Sequence, residues 1–335
     1  AGDQQIHRPG GKTPGGKGKR DHGCLIGPVP LRSHTDNKLT MFQDAIEKVL
    51  QFTRPLHSIS RTYGGLILPG SSTFFFVNAE GVAVTCRHVA EMIPAAENIN
   101  QHYQRFKVER NNLSGPGKKQ LQALEQRYQY LPESTIQLKN NFLNCFDTIR
   151  EIACHTHPTL DLAILEFKGF NKVFYTSHAR FLKDSSKIKQ GMSLCRIGYP
   201  FPEFSNFRYN QEMDDIEWTN TGNPNSPSFP MDGIVTRFVA NSPNDGISGI
   251  EMSTPGLRGQ SGGPLFDTNG VVYGMQYATN HLHLGFDLHG HDIISNGKRM
   301  KVSNNPFLHV GLCVHADKIK AFLQEKNIRF SEADH

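Results

Sequence analysis

The chain has no long hydrophobic run, and its 335 residues include only six cysteines and one tryptophan. A transmembrane helix needs about 18 to 20 consecutive apolar residues; no stretch approaches that length, so we expect no membrane association. Cys86, Cys195 and Cys313 lie inside apolar, strand-like runs, which favours buried free thiols over disulfides. With no apolar export signal visible, a reducing cytoplasm is the expected location.

The chain also has no dense run of one charge. Its formal net charge of +5 comes from 36 basic and 31 acidic side chains spread along its length. Residues 102–140 hold seven Lys or Arg against three Glu, an excess that can attract acidic partners or nucleic acid. A solvated helix face explains this excess better, so nucleic acid is not an expected partner.

The length indicates one enzyme-sized domain with additions. Residues 1–37 are rich in Gly, Pro and basic residues and have almost no apolar periodicity. Such a segment cannot bury enough apolar area to offset its ordering entropy, so we predict a disordered basic tail. Residues 38–330 then form the folded domain, with a helical insertion at about 95–145. The tail and the insertion are the two candidate sites for a further partner.

Ser261 stands in the segment Gly-Gln-Ser-Gly-Gly-Pro at 259–264, between an apolar strand and an Asn-Gly turn. The flanking glycines allow a tight, exposed bend and a close approach of substrate backbone. A serine hydroxyl is a poor nucleophile at neutral pH and needs a base, a group that orients the base, and donors for the oxyanion. The segment predicts a nucleophile, although a plain turn is the alternative.

A candidate base and a candidate acid precede this serine. The β-branched run at 82–90 predicts a strand with His88 near its end. Asp161 is the first residue of the buried run at 161–165. Asp147 competes for the acid role, but Asp161 is favoured because it lies directly against the apolar run. The chain order His, Asp, Ser is that of chymotrypsin-like double barrels; other hydrolase folds use other orders.

Several segments in this order resemble the trypsin-like (chymotrypsin-fold) serine peptidases of the bacterial type, closest to the protease domain of Deg, or high-temperature-requirement, proteases. The matching segments are 72–88, 161–165, 197–200, 233–235, 259–264 and 272–275. The resemblance covers roughly residues 55–325. It implies two six-stranded antiparallel β-barrels with N- and C-terminal helices, to which the helical insertion is added.

The resemblance also implies roles for the residues. His88 would be the general base, Asp161 the orienting acid and Ser261 the nucleophile, with the amides of Gly259 and Ser261 as the oxyanion hole. In the digestive branch, the residue before the serine is an Asp that pairs with a newly cut N-terminal amine. That position is Gln260 here, so activation by such a charge pair is not expected.

By the same resemblance, the primary specificity pocket has Thr254 and Pro255 at its base. Residues Tyr277, Ala278 and Thr279 would form the strand that lines it and pairs with the substrate backbone. No carboxylate stands at the base to bind a substrate Lys or Arg, so a neutral pocket for a small or apolar side chain is favoured. Arg258 offers an alternative, because its charge could attract an acidic side chain.

Two His-x-His pairs lie near the C-terminus. Alternate strand residues share a face, so His281 with His283, and His289 with His291, make a zinc or nickel site conceivable. No Cys or Glu completes a usual ligand spacing, and a polar hairpin is the preferred interpretation. We therefore expect no metal and no cofactor.

Helical periodicity appears in three places. A helix is predicted near residues 42–50, before the first barrel; apolar residues at 121, 124 and 128 predict a helix inside the insertion. Ile319, Phe322 and Leu323 predict a terminal amphipathic helix after a last strand at 310–314.

Two functions follow from the sequence. The first is a serine endopeptidase that cleaves proteins or peptides through an acyl-enzyme on Ser261. The second is a catalytically idle protease-fold module that binds a protein or peptide, with its cleft covered by the Pro-, Asn- and Ser-rich stretch at 201–232.

Overall fold

A computed structural model of the protein describes residues 41–113, 117–240, 246–286, 288–295, 297–304 and 307–334. The tail predicted at 1–37, which includes Cys24, lies outside the described residues. The five described cysteines carry free thiols: Cys86, Cys145, Cys154, Cys195 and Cys313. No helix in the described ranges is both long enough and apolar enough to cross a membrane.

Strands dominate the described chain. They are β1 Thr53–Thr62, β2 Ile67–Phe76, β3 Val82–Thr85, β4 Thr135–Phe142, β5 Glu151–Thr156, β6 Ala163–Lys168, β7 Arg180–Leu182, β8 Ser193–Gly198, β9 Phe207–Asn210, β10 Asp215–Trp218, β11 Phe229–Val239, β12 Gly249–Met252, β13 Pro264–Phe266, β14 Val272–His283, β15 Leu288–Ser295, β16 Lys298–Asn304, β17 Phe307–His315 and β18 Ser331–Ala333. The helices are α1 Gln43–Leu50, α2 Arg87–Asn112, α3 Lys118–Tyr128 and α4 Ala316–Glu325, with a short 3-10 turn at Ser185–Lys187.

The first sheet is a six-stranded antiparallel sheet in the order β4-β1-β2-β3-β6-β5. All four residues of β3 are buried, and its Ala83 lies opposite Leu165 of β6. Such β-branched and aromatic runs fit a pleated surface that is covered on both faces. The sheet places the C-terminal end of β3 beside the start of β6, where His88 and Asp161 follow and precede the strands.

The second sheet is a closed ring of β13, β8, β11, β12, β17 and β14, in which β13 pairs back onto β14. This is the chymotrypsin-like double-barrel fold expected from the sequence. The expectation of purely antiparallel strands was incomplete, because β7 pairs with β14 and β18 pairs with β7 in parallel. These two short strands are added to the ring at the start of β14, where Phe181 of β7 pairs with Val272.

The helices confirm the sequence-based prediction of helices before, within and after the barrels. Inside the insertion, Tyr103 and Phe106 of α2 pack with Leu124 of α3 and Ile136 of β4 in a separate small core. Because β4 pairs with β1, the end of this segment belongs to the first sheet itself. The insertion is therefore packed onto the first barrel by apolar contacts.

Asp214, at the tip of the β9–β10 hairpin, connects this helical region to the sheet. Its carboxylate accepts hydrogen bonds from Arg61 at 2.7 Å, Tyr103 at 2.7 Å, Arg110 at 3.1 Å and Tyr209 at 2.8 Å. Burial opposes ionisation, yet these bonds outweigh it and lower the pKa of Asp214 to about 2. The ionised carboxylate thus holds α2, β1 and the hairpin together.

We expect Asp214→Asn to lower the free energy of unfolding at pH 7 by about 1–2 kcal/mol, since charged hydrogen bonds are lost but solvent screens part of the charge. The folded-state pKa lies below the usual 3.8. The stabilisation is therefore complete above about pH 4 and is lost as the pH falls towards 2, where the two proteins should converge. Urea unfolding from pH 2 to 7 measures this. The control Glu217→Gln removes an exposed hairpin pair with Arg208 and should cause no measurable change.

Candidate active site

His88 lies in the first turn of α2. The strand predicted through Ala90 was wrong at its end, because β3 stops at Thr85 and the helix begins at Arg87. The N-cap residue Cys86 offers no side-chain cap. Instead, the Asp161 carboxylate accepts the His88 backbone amide at 3.1 Å and satisfies an exposed donor of the helix end. A contact distant in sequence therefore sets where this helix starts.

The Asp161 carboxylate also accepts a hydrogen bond from the His88 ring, with 2.7 Å between Oδ2 and Nδ1. Burial raises the pKa of Asp161, but the hydrogen bonds from the His88 ring and amide lower it by a larger amount, so the net shift is downward. Since an ionised carboxylate only accepts, Nδ1 must carry a proton, and Nε2 is the acceptor whenever the ring is neutral. Arg87 holds the loop before Asp161 by donating to the Leu160 carbonyl at 2.5 Å.

Ser261 lies where the two sheets meet. Its backbone carbonyl accepts a hydrogen bond from the amide of Thr73 in β2 at 3.0 Å. The Thr73 hydroxyl donates a hydrogen bond to the Gly259 carbonyl at 2.6 Å. On the other side, the Gly262 amide donates to the Gln276 carbonyl of β14 at 2.9 Å. The loop at 259–264 is thus fixed to both barrels.

Two glycines are required in this loop. Gly262 has φ +88°, and a side chain there would overlap the Thr73 carbonyl oxygen. Gly259 has φ +89°, and its missing Cβ would lie 2.6 Å from the Tyr199 carbonyl oxygen. Neither the Gly259 amide nor the Ser261 amide donates a hydrogen bond to any described residue. Both donors remain available to a ligand.

Gln260 locks the same loop from inside. Its side chain is fully buried; its oxygen accepts the Leu257 amide at 3.0 Å, and its nitrogen donates to the Phe229 carbonyl at 3.0 Å. A neutral amide here completes its own hydrogen bonds within the fold. The loop conformation therefore has a local support that does not involve an N-terminal ammonium group.

The structure brings His88 and Asp161 into contact, but within the described chain no hydrogen bond joins His88 to the Ser261 hydroxyl. Ser261 lines a cavity of about 440 Å³, His88 and Asp161 line one of about 370 Å³, and Tyr277 borders both. The Gln276 carbonyl accepts from Gly262 and also from the Cys86 thiol at 3.3 Å. Short contacts thus connect the two halves of the site.

Asp147, the competing acid, has a different environment. Its Oδ1 accepts the backbone amides of Thr148 at 2.9 Å, Asn171 at 3.0 Å and Lys172 at 3.1 Å. These bonds, that from Lys172 foremost, lower the pKa of Asp147. This carboxylate holds a surface loop and has no bond to a histidine, which leaves Asp161 as the acid beside His88.

Five of the six predicted pocket residues line the cavity at Ser261: Pro255, Arg258, Tyr277, Ala278 and Thr279. Thr254 does not line it. Its hydroxyl and carbonyl face a buried guanidinium, that of Arg196, at 2.5 and 2.9 Å. Sequence reasoning missed Arg196 and also Gln276, which lines the same cavity. A charged residue inside the apolar run of β8 was the available signal.

The described residues contain one grouping whose atoms could hold a metal ion, formed by Cys86, His88 and Asp161. Burial raises the pKa of the Cys86 thiol well above its usual value. A thiol must lose its proton to bind a metal, so this group is a poor ligand. The His-x-His pairs lie on different strands, β14 and β15, and His281 bonds instead to His309 of β17.

One closed strand barrel and one six-stranded, barrel-like sheet, with a His–Asp pair at one wall and a Gly-Gln-Ser-Gly-Gly loop at their junction, define a chymotrypsin-like peptidase fold. The family model described as a trypsin-like peptidase domain matches residues 71–275. The chain therefore belongs to the trypsin-like peptidase family.

The chain is also similar to several solved structures. Solved structures of the HtrA-type protease AlgW with a tripeptide match at 15% identity and a TM-score of 0.42, covering 86% of this chain and 65% of that chain. A substituted form with a decapeptide matches at 13% identity and a TM-score of 0.42, covering 86% of this chain and 68% of that one. A substituted form with a tripeptide is matched over 64% of its length. The chain thus spans about two thirds of these proteins. No curated protein matches it.

Proposed function

We propose that the protein is a serine endopeptidase in which Ser261 is the nucleophile, His88 the general base and Asp161 the group that orients and stabilises the base. The observation that carries this proposal is the 2.7 Å bond between His88 Nδ1 and Asp161 Oδ2, which directs Nδ1 to the carboxylate and leaves Nε2 for the serine. The Ser261 loop, held to both sheets, is the second component. Family membership supports the same assignment.

Each step follows from these groups. His88 Nε2 takes the Ser261 proton as Oγ attacks the substrate carbonyl, and the amides of Gly259 and Ser261 stabilise the oxyanion. The imidazolium, stabilised by Asp161, then protonates the leaving amine, and the C–N bond breaks. Water loses a proton to the same histidine, attacks the acyl ester and releases the acid product while Ser261 regains its proton.

The absence of a Ser261–His88 hydrogen bond in the described chain is the observation that favours the second candidate, an idle binding module. Hydrogen bonds of this kind are often long in ligand-free enzymes and shorten when substrate binds. The unused amides of Gly259 and Ser261 favour the enzyme, because a retired site has no need to keep two donors without acceptors.

An active-site-directed fluorophosphonate tests the proposal. The purified protein should be labelled once, at Ser261, and labelling should be lost in Ser261→Ala and strongly slowed in His88→Ala. Peptide mapping by mass spectrometry locates the adduct. A matched control is Ser248→Ala, a serine that lines the cavity beside His88 and should leave labelling intact. A folded protein that never reacts at Ser261 would be the idle module.

A further inference from the structure

The pocket beside Ser261 is lined by basic side chains. Its ionisable lining includes Arg258, His281 and His309, and no carboxylate is among its lining residues. Arg258 is exposed at the mouth. His281 and His309, opposite each other on β14 and β17, share a hydrogen bond of 2.6 Å between their Nδ1 atoms. The pair therefore needs at least one ring proton between these nitrogens.

Arg196 lies directly behind the wall of this pocket and is fully buried. Its guanidinium donates to the Gln276 side-chain oxygen at 2.5 Å, to the Thr254 carbonyl at 2.9 Å and to the Pro255 carbonyl at 3.2 Å. All of its hydrogen-bond acceptors in the described residues are neutral, and its Nε has no partner. Buried charges are normally paired. Burial without an anion lowers the pKa of this guanidinium.

Gln276 lies between the Arg196 guanidinium and the pocket. A guanidinium has only donors, so the Gln276 oxygen must face Arg196 and its NH2 group must face away. That nitrogen donates one hydrogen to the Ala278 carbonyl at 2.5 Å. The second hydrogen has no acceptor among the described residues, and Gln276 lines the cavity. The amide is polarised by the cation behind it, which strengthens the donor.

From this arrangement we infer that the primary pocket takes an acidic side chain, so that the enzyme cleaves after Glu or Asp. A carboxylate in the pocket would meet the Gln276 N–H, the positive field of Arg196 in a low-dielectric wall, and Arg258 at the mouth. The sequence alone favoured a neutral pocket, because no carboxylate stands at the pocket base, and it offered an acidic side chain attracted by Arg258 as the alternative. This inference rests on the proposed peptidase function, and it assigns that site's substrate class.

The test uses reporter peptides that differ only at the residue before the scissile bond, in the isosteric pairs Glu/Gln and Asp/Asn, with Val, Phe and Lys for comparison. We expect kcat/KM for Glu to exceed that for Gln by about 10- to 100-fold. Equal rates for Glu and Gln, or a preference for Val, Phe or Lys, would overturn the inference. Fluorophosphonate labelling of Ser261 in the same sample tests the peptidase proposal separately, so that failure of the inference and failure of the proposed function can be distinguished.

Variants of Arg258 and Arg196 test whether these cations cause the preference for Glu over Gln. Arg258→Gln should reduce the Glu/Gln ratio, whereas Arg208→Gln, which removes a cation outside the pocket, should retain the ratio and the activity. Arg196 acts through Gln276 and is a positioning residue. Arg196→Met should bring the ratio close to one, and Arg196→Lys, which keeps the charge, should retain more of it. If circular dichroism shows Arg196→Met to be unfolded, the Arg258 result decides.

Binding provides a readout that is independent of turnover. In Ser261→Ala, calorimetry with product peptides ending in Glu or Gln should show tighter binding of the Glu product, with the difference reduced in the double variant with Arg258→Gln. Indistinguishable affinities would contradict the acidic pocket.

Discussion

Asp161→Asn is expected to lower kcat/KM for peptide hydrolysis by about four orders of magnitude at neutral pH. The amide can still accept the His88 backbone N–H, so the start of α2 should persist. It cannot, however, stabilise the imidazolium, and its NH2 group favours the tautomer with the proton on the wrong ring nitrogen. Steady-state kinetics with a peptide reporter measures the loss, and thermal melting checks that the fold is retained.

Asp147→Asn is the matched control for this experiment. Asp147 is also a carboxylate that accepts backbone amides, but its partners are Thr148, Asn171 and Lys172 in a surface loop. The variant should keep full activity. If Asp161→Asn retained activity within tenfold of the unmodified protein, Asp161 would not be the orienting acid.

Gly262→Ala should have the largest effect on stability. The added methyl group would overlap the Thr73 carbonyl oxygen and the Thr85 hydroxyl, and φ of +88° disfavours any side chain. Relief requires separation of the Ser261 loop from β2, so we expect a loss of about 3–5 kcal/mol in the free energy of unfolding. Peptidase activity should be lost with it. Denaturant unfolding and the peptide reporter measure the two effects.

Gly65→Ala separates the cost of steric overlap from the cost of a positive φ. Gly65 has a similar φ of +89°, but no atom lies within 4 Å of the position a Cβ would take. Only the backbone cost should remain, about 1–2 kcal/mol, with activity retained. Equal losses for the two variants would show that crowding at Gly262 contributes nothing.

Local patterns predicted those parts of the fold that depend on neighbouring residues. The apolar spacing at 121, 124 and 128 predicted α3, and Ile319, Phe322 and Leu323 predicted α4, because both helices bury one face. The end of β3 could not be predicted in this way. Val89 and Ala90 suit a buried strand as well as a helix, and the capping contact that decides between them comes from Asp161, 73 residues away.

The active site was likewise predicted only in part from the sequence. Motif and chain order pointed to His88, Asp161 and Ser261, and the structure brings the first two together. Arg196 and Gln276 carry no recognisable motif, and their relation to the pocket arises only when β8 and β14 close into one ring. Whether a cation is buried depends on residues that are distant along the chain, so local sequence patterns do not show it.

The distribution of these groups between the sheets has a consequence during synthesis of the protein. A nascent chain that has emerged as far as residue 200 contains His88 and Asp161 but not Ser261. The backbone of Ser261 is joined to the first sheet when its carbonyl accepts a hydrogen bond from the Thr73 amide. Under the proposed mechanism, partly made chains therefore lack the nucleophile, and hydrolytic activity requires completion of the second barrel.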